Sequence, residues 1–233
     1  MRTKKPIHYE EIASPSDALL QEMQALRLTM IALKPGVTAQ DDFNGFKDYF
    51  LSPGRYAHVF RFQDGRLAGF YCMGCEHYDE GMVLSVEYLF FHPKARRHVP
   101  YRKAMVMFGL RKTLAHLGTP KAFAGLGYPA SYLVFKRYFG ARVHTLQSQR
   151  LDPRQRHLLE RFAATMGADP RTGVAPFRTL PPTTHASNED YDRQNPHWRE
   201  GNGLLFSIPV SFSTMFSNLG WALAGAMRRK KRR

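Results

Sequence analysis

The stretch 82-MVLSVEYLFFHPKARRHVPYRKAMVMFGL-110 decides how this chain folds. Residues 82–91 are apolar or aromatic apart from Ser85 and Glu87, and read as a buried strand. The run stops at His92-Pro93. A basic segment follows, with Arg96, Arg97, His98, Arg102 and Lys103, and an apolar helical pattern starts at Ala104. Strand, basic turn and helix is an arrangement by which a helix N-terminus holds a phosphate. No glycine lies between Phe91 and Met107 to let the backbone approach an anion closely. A phosphate turn built on side chains and a solvated basic loop are therefore both open readings.

Working outward, residues 14–33 open on Ser and Asp caps and carry Leu19, Leu20, Met23, Leu26 and Met30 at helical spacing. A second short helix is expected over 41–51. The alternating runs 56–63 and 66–74 flank Asp64-Gly65, a hairpin signature. After the helix over 101–117, 121-KAFAGLGY-128 reads as a strand, 130–140 as a helix closed by glycine, and 141-ARVHTLQSQ-149 as a last strand. The expected order is α-α-β-β-β-α-β-α-β, a mixed α/β domain over 1–150. Residues 151–202 turn polar, with a short helix near 153–166, and read as an extension or lid. Residues 203–233 read as an amphipathic apolar segment with a basic tail.

Composition bounds the partners. The 233 residues are 43% hydrophobic, enough for a real core, and the formal net charge of +15 points to an anionic partner. Cys72 and Cys75 are the two cysteines. On a strand they point to opposite faces, so buried thiols of a reducing cytosol are expected, rather than a redox or zinc pair. The histidines, among them His116, His144, His157 and His197, show no metal-ligand spacing, and no metal is expected. The basic N-terminus has no long apolar segment behind it, which reads as cytoplasmic.

The element order over residues 7–149 resembles the GCN5-related N-acetyltransferase (GNAT) superfamily. Three stretches carry the likeness: the hairpin 64-DGRLAGFY-71, the turn 91-FHPKARRHVPYRKAMVMFGL-110, and the strand-helix unit 121-KAFAGLGYPASYLVFKRYFG-140. The resemblance implies a mixed, mostly antiparallel central sheet flanked by helices, with a C-terminal extension. It implies that strands 82–91 and 121–128 splay to form a cofactor cleft. It also implies acyl transfer to an amine, with acyl-CoA or acyl carrier protein as co-substrate and no permanently bound cofactor.

The second stretch occupies the place of the family's pyrophosphate loop. Pro93 and Arg96 fit its pattern, while Val99 and Tyr101 stand where glycines are usual. The donor-binding residues implied are Phe91, His92, Arg96, Arg97, His98, Val99, Tyr101, Arg102 and Lys103, with the cations compensating for the missing glycines.

Acyl transfer needs a base to take a proton from the amine and an acid for the leaving thiolate. Glu87 is the candidate base: a carboxylate in an apolar run is costly unless it has a task or a partner. Pairing with a nearby arginine, or facing solvent, is the competing reading, and His92 and Glu76 are alternatives as base. In the family a tyrosine near the end of the last helix serves as acid. Here Phe135 stands near that place, flanked by Tyr132 and Tyr138, which are the candidates; aromatic packing is the competing reading for each.

Residues 203–227 carry no charge, and 228-RRKKRR-233 is a run of cations. Pro209, the Ser and Thr residues and Asn218 make this a poor membrane span. Beyond Pro209, Phe212, Met215, Phe216, Leu219, Leu223 and Ala226 share a helical face. An interfacial helix over 210–233 on an anionic inner membrane face is expected, with a packed C-terminal helix as the alternative. Nucleic acid is disfavoured, because the cations form a terminal run. The function expected is an N-acyltransferase, long-chain donors included; a non-catalytic GNAT-like module binding a membrane surface or an anionic partner is the rival.

Overall fold

The computed structural model describes residues 7–95, 99, 101–115, 120–182 and 188–210, without the side chains of Arg102 and Tyr138. In chain order the elements are β1 (His8–Ile12), α1 (Asp17–Leu28), β2 (Ala32–Leu33), α2 (Ala39–Leu51), β3 (Arg55–Arg61), β4 (Leu67–Tyr78), β5 (Gly81–Phe91), α3 (Tyr101–Ala115), β6 (Ala122–Gly127), α4 (Pro129–Phe139), α5 (Pro153–Thr165), β7 (Val174–Pro176), β8 (Thr179–Leu180), α6 (Glu189–Gln194) and β9 (Asn202–Pro209). The fold is mixed α/β. A seven-stranded sheet has the order β1-β3-β4-β5-β6-β9-β7, and every pairing in it is antiparallel except β5 with β6.

Local chemistry explains the elements. Ser16 caps α1 by accepting from the Leu19 N–H, and Thr38 and Asp41 form a reciprocal capping box on α2. The β3–β4 turn closes on Gly65 at φ 82, a left-handed backbone that glycine adopts without a Cβ penalty. Asp152 caps α5, accepting from the N–H groups of Arg154 and Gln155.

Helices cover both faces of the sheet. On one face α3 and α4 pack Phe108, Tyr132 and Phe135 against Tyr71, Met73, Leu84 and Phe206. On the other, α1 and α2 bring Leu20, Met23, Phe46 and Phe50 onto Ala57, Val59, Phe70 and Cys72. On that same face α5 buries Leu158, Leu159 and Phe162 against Val83, Ala124 and Leu205. Each such large side chain contributes about 1.5–3 kcal/mol when fully buried. Cys72 and Cys75 are free, buried and on opposite faces; burial pushes their thiols up to about 12 and about 11.

Two expectations need correction. Residues 141–149 are not a strand: Gly140–Arg142 is a single 3-10 turn, and His144 makes one isolated bridge to Ser207. The strand beside β6 is β9, from the uncharged stretch expected to be part of the tail. The physical reason is burial on both faces. Leu204, Leu205, Phe206 and Ile208 suit a central strand, whereas 141-ARVHTLQSQ-149 carries Arg142, His144, Gln147 and Gln149 and places polar residues on both faces of an extended run. The expected boundaries at 150 and 203 thus cut through one sheet, with β9 between β6 and β7. In addition, β1 extends the sheet's edge where no strand was expected. Residues 211–233, expected to carry the interfacial helix, lie outside the described residues.

Candidate functional site

β5 and β6 pair only from Val83 with Ala122 to Val86 with Gly125. Beyond that point the strands part, as expected for runs 82–91 and 121–128. The gap opens a cleft of about 520 Å³ lined by Glu87–Phe91 on one side and Leu126–Tyr128 on the other. Its lining draws on both helical layers. Tyr101 of α3 and Ala130, Ser131 and Val134 of α4 lie on one face; Arg27, Asp42, Phe46 and Tyr49 of α1 and α2 lie on the other.

Glu87 sits where the strands separate. It opposes Cys72 across the β4–β5 ladder, so it shares the face of α1 and α2. It is 5% exposed, and its Oε1 has no hydrogen-bond partner among the described residues. Burial alone pushes its carboxyl up to about 8. No ion pair to Glu87 occurs among the described residues, and burial is the one influence on its carboxyl there.

The next residue breaks the strand's alternation. Phe70 opposes Phe90 and Cys72 opposes Glu87, so Tyr88 and Leu89 together stand against Tyr71. This is a β-bulge, and Tyr88 takes a left-handed backbone with φ 52. For a bulky residue that conformation costs of order 1–3 kcal/mol and persists only where packing enforces it. Here the Tyr88 ring is wedged among Phe46, Tyr49 and Phe50, at centroid distances of 5.2, 4.9 and 5.5 Å. The Arg27 guanidinium lies 5.6 Å from the same ring and 5.3 Å from that of Phe46.

Arg27 is held in turn by Asp42, with two bonds of 2.8 Å, and Gln24 Nε2 donates to Asp42 Oδ2 at 3.0 Å. Burial would raise the Asp42 carboxyl. The hydrogen bonds from Arg27 and Gln24 and the Arg27 charge outweigh it and keep the carboxyl below its ordinary value. This cluster was missed in the sequence. Its members are ordinary helix residues 15 positions apart, and nothing local marks them as partners.

The basic turn is partly described. Phe91 and Tyr101 line the cleft, with ring centroids 5.5 Å apart. Val99 packs into the core beside Ala95 and Ala104, so its bulk does not project into the cleft. His92 accepts from the Lys94 N–H at 3.2 Å and sets its ring against Phe62, outside the cleft lining. Lys103 is exposed on α3 and does not line the cleft. Arg96, Arg97 and His98, and the side chain of Arg102, lie outside the described residues.

Of the two candidate tyrosines, one is described. Tyr132 is 1% exposed, packs on Tyr191 and Phe206, and donates its hydroxyl to Asp190. It does not line the cleft, because the α4 face that bears it is the one buried against β9 and α6. The side chain of Tyr138 is outside the described residues. Glu76, an alternative base, pairs with Arg55 in a separate hollow. Two other residues reach the cleft at the start of α4. Ser131 lines it, and so does Tyr128, whose hydroxyl donates to the Thr179 carbonyl at 2.6 Å and is raised to about 12 by burial.

No family model matches the sequence, and no curated protein matches it. Solved structures do resemble the fold. A GNAT-family acetyltransferase from Staphylococcus aureus aligns with 88% of this chain and 100% of its own at 8% identity and a TM-score of 0.46. A predicted acetyltransferase from Clostridium acetobutylicum, solved with acetyl-CoA, aligns over 63% of this chain and 96% of its own at 10% identity and 0.45. An aminoglycoside 6'-N-acetyltransferase from Acinetobacter baumannii aligns over 57% and 88% at 16% identity and 0.42. Likeness at that level carries no argument about what this chain does.

Proposed function

We propose that this chain is an N-acyltransferase of the GNAT type, moving an acyl group from a thioester donor, acyl-CoA or an acyl carrier protein, to an amine. One observation carries the reading: a buried carboxyl, Glu87, without an ion-pair partner among the described residues, at the point where two parallel strands part to form a cleft. A carboxyl raised to about 8 suits a base that must take a proton from an amine near neutral pH.

In this reading Glu87 accepts the proton of the acceptor's ammonium group. The freed lone pair attacks the thioester carbonyl carbon, the C–S bond breaks, and the nitrogen sheds its second proton as the departing thiolate takes one up, so that the two balance. The products are an amide and a free thiol. The bulge at Tyr88–Leu89 leaves β5 with one more backbone residue than β4 can pair. An N–H there can serve the oxyanion. The donor enters past Tyr101, Ser131 and Val134, the acceptor past Phe46, Tyr49 and Arg178. Among the described side chains none is placed as acid for the thiolate in the way Tyr132 was expected to be. The role falls to Tyr138 or to solvent. The apolar walls Leu89, Phe90, Phe91, Leu126 and Val134 support donors with chains longer than acetyl.

Contact with an anionic membrane surface through residues 210–233 belongs to the same proposal. The apolar face and terminal cations of that segment support it. Among the described residues no helix is long and apolar enough to cross a membrane.

The test is thiol release. Full-length protein is incubated with acetyl-CoA, with long-chain acyl-CoA and with acylated carrier protein, each with a panel of primary amines, and free thiol is titrated. Amine-dependent release that Glu87→Gln abolishes is expected. No release from any donor, together with binding to anionic vesicles, would favour the non-catalytic module instead.

A further inference from the structure

A second hollow of about 280 Å³ opens beside the cleft, and Tyr49 and Met166 line both. Its other walls are Ser52, Pro53, Arg55, Glu76 and Thr165. Arg55 opposes Gly74, Gly74 opposes Ser85, and Cys72 opposes Glu87. Arg55, Glu76 and Glu87 therefore all point to one face of the sheet. A Cβ on Gly74 would collide with Arg55, Ser85 and Glu76, so glycine at this position is what lets the two charged side chains lie against the sheet.

Arg55 is 6% exposed and Glu76 12%, and they form an ion pair. Arg55 Nη1 also donates to Ser85 Oγ at 3.3 Å, Nη2 reaches Met166 Sδ at 3.2 Å, and the guanidinium lies 4.8 Å from the Tyr49 ring centroid. Some polar atoms of these side chains are left over. Arg55 Nε, Glu76 Oε2 and the Tyr49 hydroxyl are buried, without a hydrogen-bond partner among the described residues, while Glu76 Oε1 is held by Arg55 Nη1. Buried polar atoms are normally satisfied, so such a group of them in one hollow calls for an occupant.

The chemistry of the occupant follows from the pair's neutrality. A cation entering the hollow meets Arg55, and an anion meets Glu76. A neutral group with one donor and one acceptor satisfies both. We propose that the hollow is a subsite for a carboxamide or peptide unit carried by the acyl acceptor. Its carbonyl accepts from Arg55 Nε, and its N–H donates to Glu76. This rests on the N-acyltransferase reading of the cleft. Glu76 lies four residues along β4 from Cys72, the partner of Glu87. At 3.4 Å per residue the reacting amine and the amide are roughly 14 Å apart, about four extended peptide residues. The acceptor is thus an extended, peptide-like amine.

The test reads binding and does not need turnover. Full-length protein labelled with ¹⁵N in arginine is titrated with tetraglycinamide and, separately, with n-octylamine, which has similar reach and no amide. The Arg55 Nε–H signal is expected to shift saturably with tetraglycinamide and to stay put with n-octylamine. Glu76→Gln should weaken tetraglycinamide binding at least tenfold. Thr165→Met, which fills the hollow from its exposed rim, should do the same and decides the matter if the buried variant does not fold. An Arg55 signal indifferent to both ligands, or equal affinity in wild type and Thr165→Met, means that the hollow holds only water and overturns the subsite. Loss of acyl transfer with the Arg55 shift intact would count against the catalytic reading and leave the subsite standing.

Discussion

Glu87 and Tyr88 are neighbours in the chain, yet both point to the α1–α2 face of the sheet. Glu87 opposes Cys72 in the ladder, and the Tyr88 ring lies among Phe46, Tyr49 and Phe50. In a regular strand successive side chains alternate. The left-handed backbone of Tyr88 breaks that alternation and absorbs one residue, so that Leu89 and Phe91 return to the α3–α4 face. The candidate base and its aromatic wall are thus set by one strained residue, itself pinned by Arg27.

The first prediction concerns pH. Glu87 has its carboxyl at about 8 in the folded chain against an ordinary 4.5. As a base it works only when deprotonated, so kcat/KM should rise with pH and level off above about 8. The same shift has the opposite sign for stability. Between 4.5 and 8 the folded chain holds a proton that the unfolded chain releases, so this stabilisation is complete below 4.5 and lost as pH rises through 8. At alkaline pH the difference is on the order of 5 kcal/mol. Glu87→Gln should therefore lose about 10²–10⁴-fold in rate yet melt higher than wild type at pH 9. Thermal melts of both proteins at pH 5 and 9, beside a pH–rate profile, check this; a variant that melts lower at pH 9 rules it out.

A second buried group titrates the other way. His58 is fully buried, Tyr71 is stacked on it at 4.5 Å, and its Nδ1 is 2.8 Å from the Tyr9 hydroxyl. Burial, then the Arg111 charge, lowers it to about 3 from an ordinary 6.5. Between those values the unfolded chain binds the extra proton. Stability from this residue is complete above 6.5 and is lost as pH falls towards 3, by a few kcal/mol. With Glu87 acting from the alkaline side, the stability optimum should lie near pH 5–6.5. His58→Phe keeps the ring packing and should flatten the acid limb in urea titrations at pH 4 and 7. An unchanged acid limb would show that other groups govern it.

How much of this was legible follows from which signals are local. Glu87 stood out because a lone carboxylate in an apolar run is conspicuous, and the strands around it were set by alternation and turn residues. β9 was hidden because a two-sided central strand and an apolar tail have the same composition, and Pro209 joins them without a charge to mark the boundary. The segment 141–149 misled because apolar and polar residues alternate over its first four positions, but such a pattern suits a strand with one wet face, and the vacancy beside β6 has none. Tyr132 was placed by its position on a helix. What decides its role is Asp190, 58 residues away, which no local pattern reveals.

The Arg27–Asp42 pair should be indispensable on one side only. Both side chains are buried, and Asp42 has Gln24 as its other side-chain donor. Arg27→Met leaves a buried carboxylate without its cation, which typically costs 3–5 kcal/mol. Replacing both, with Arg27→Met and Asp42→Leu, should recover most of that loss, since no unpaired charge remains. It should not recover activity, because the Tyr88 ring loses the guanidinium that pins the bulge. Urea denaturation and thiol-release assays on the single and double variants give both readings. A double variant that regains full activity would remove Arg27 from the positioning of Glu87.

Two truncations separate sheet from tail. Ending the chain after Gly201 removes β9, which pairs with β6 and β7 and buries Leu204, Leu205, Phe206 and Ile208. At about 1.5–3 kcal/mol for each side chain, that loss is comparable with the whole stability of a typical domain, 5–15 kcal/mol. It also leaves the β6 edge unpaired, a template for aggregation. This variant should be insoluble. Ending after Val210 keeps β9 and the Val210 N–H bond to the Lys121 carbonyl at 3.0 Å. That variant should remain folded, with melting within a few degrees of full length, and keep amine-dependent thiol release. If residues 211–233 carry the membrane contact, it should also stop floating with anionic vesicles, whereas the full-length chain floats at low salt and more weakly at high salt, because only the charge attraction is screened. Aggregation of the Val210 truncation, with no flotation of the full-length chain, would instead mean that the tail packs on the domain.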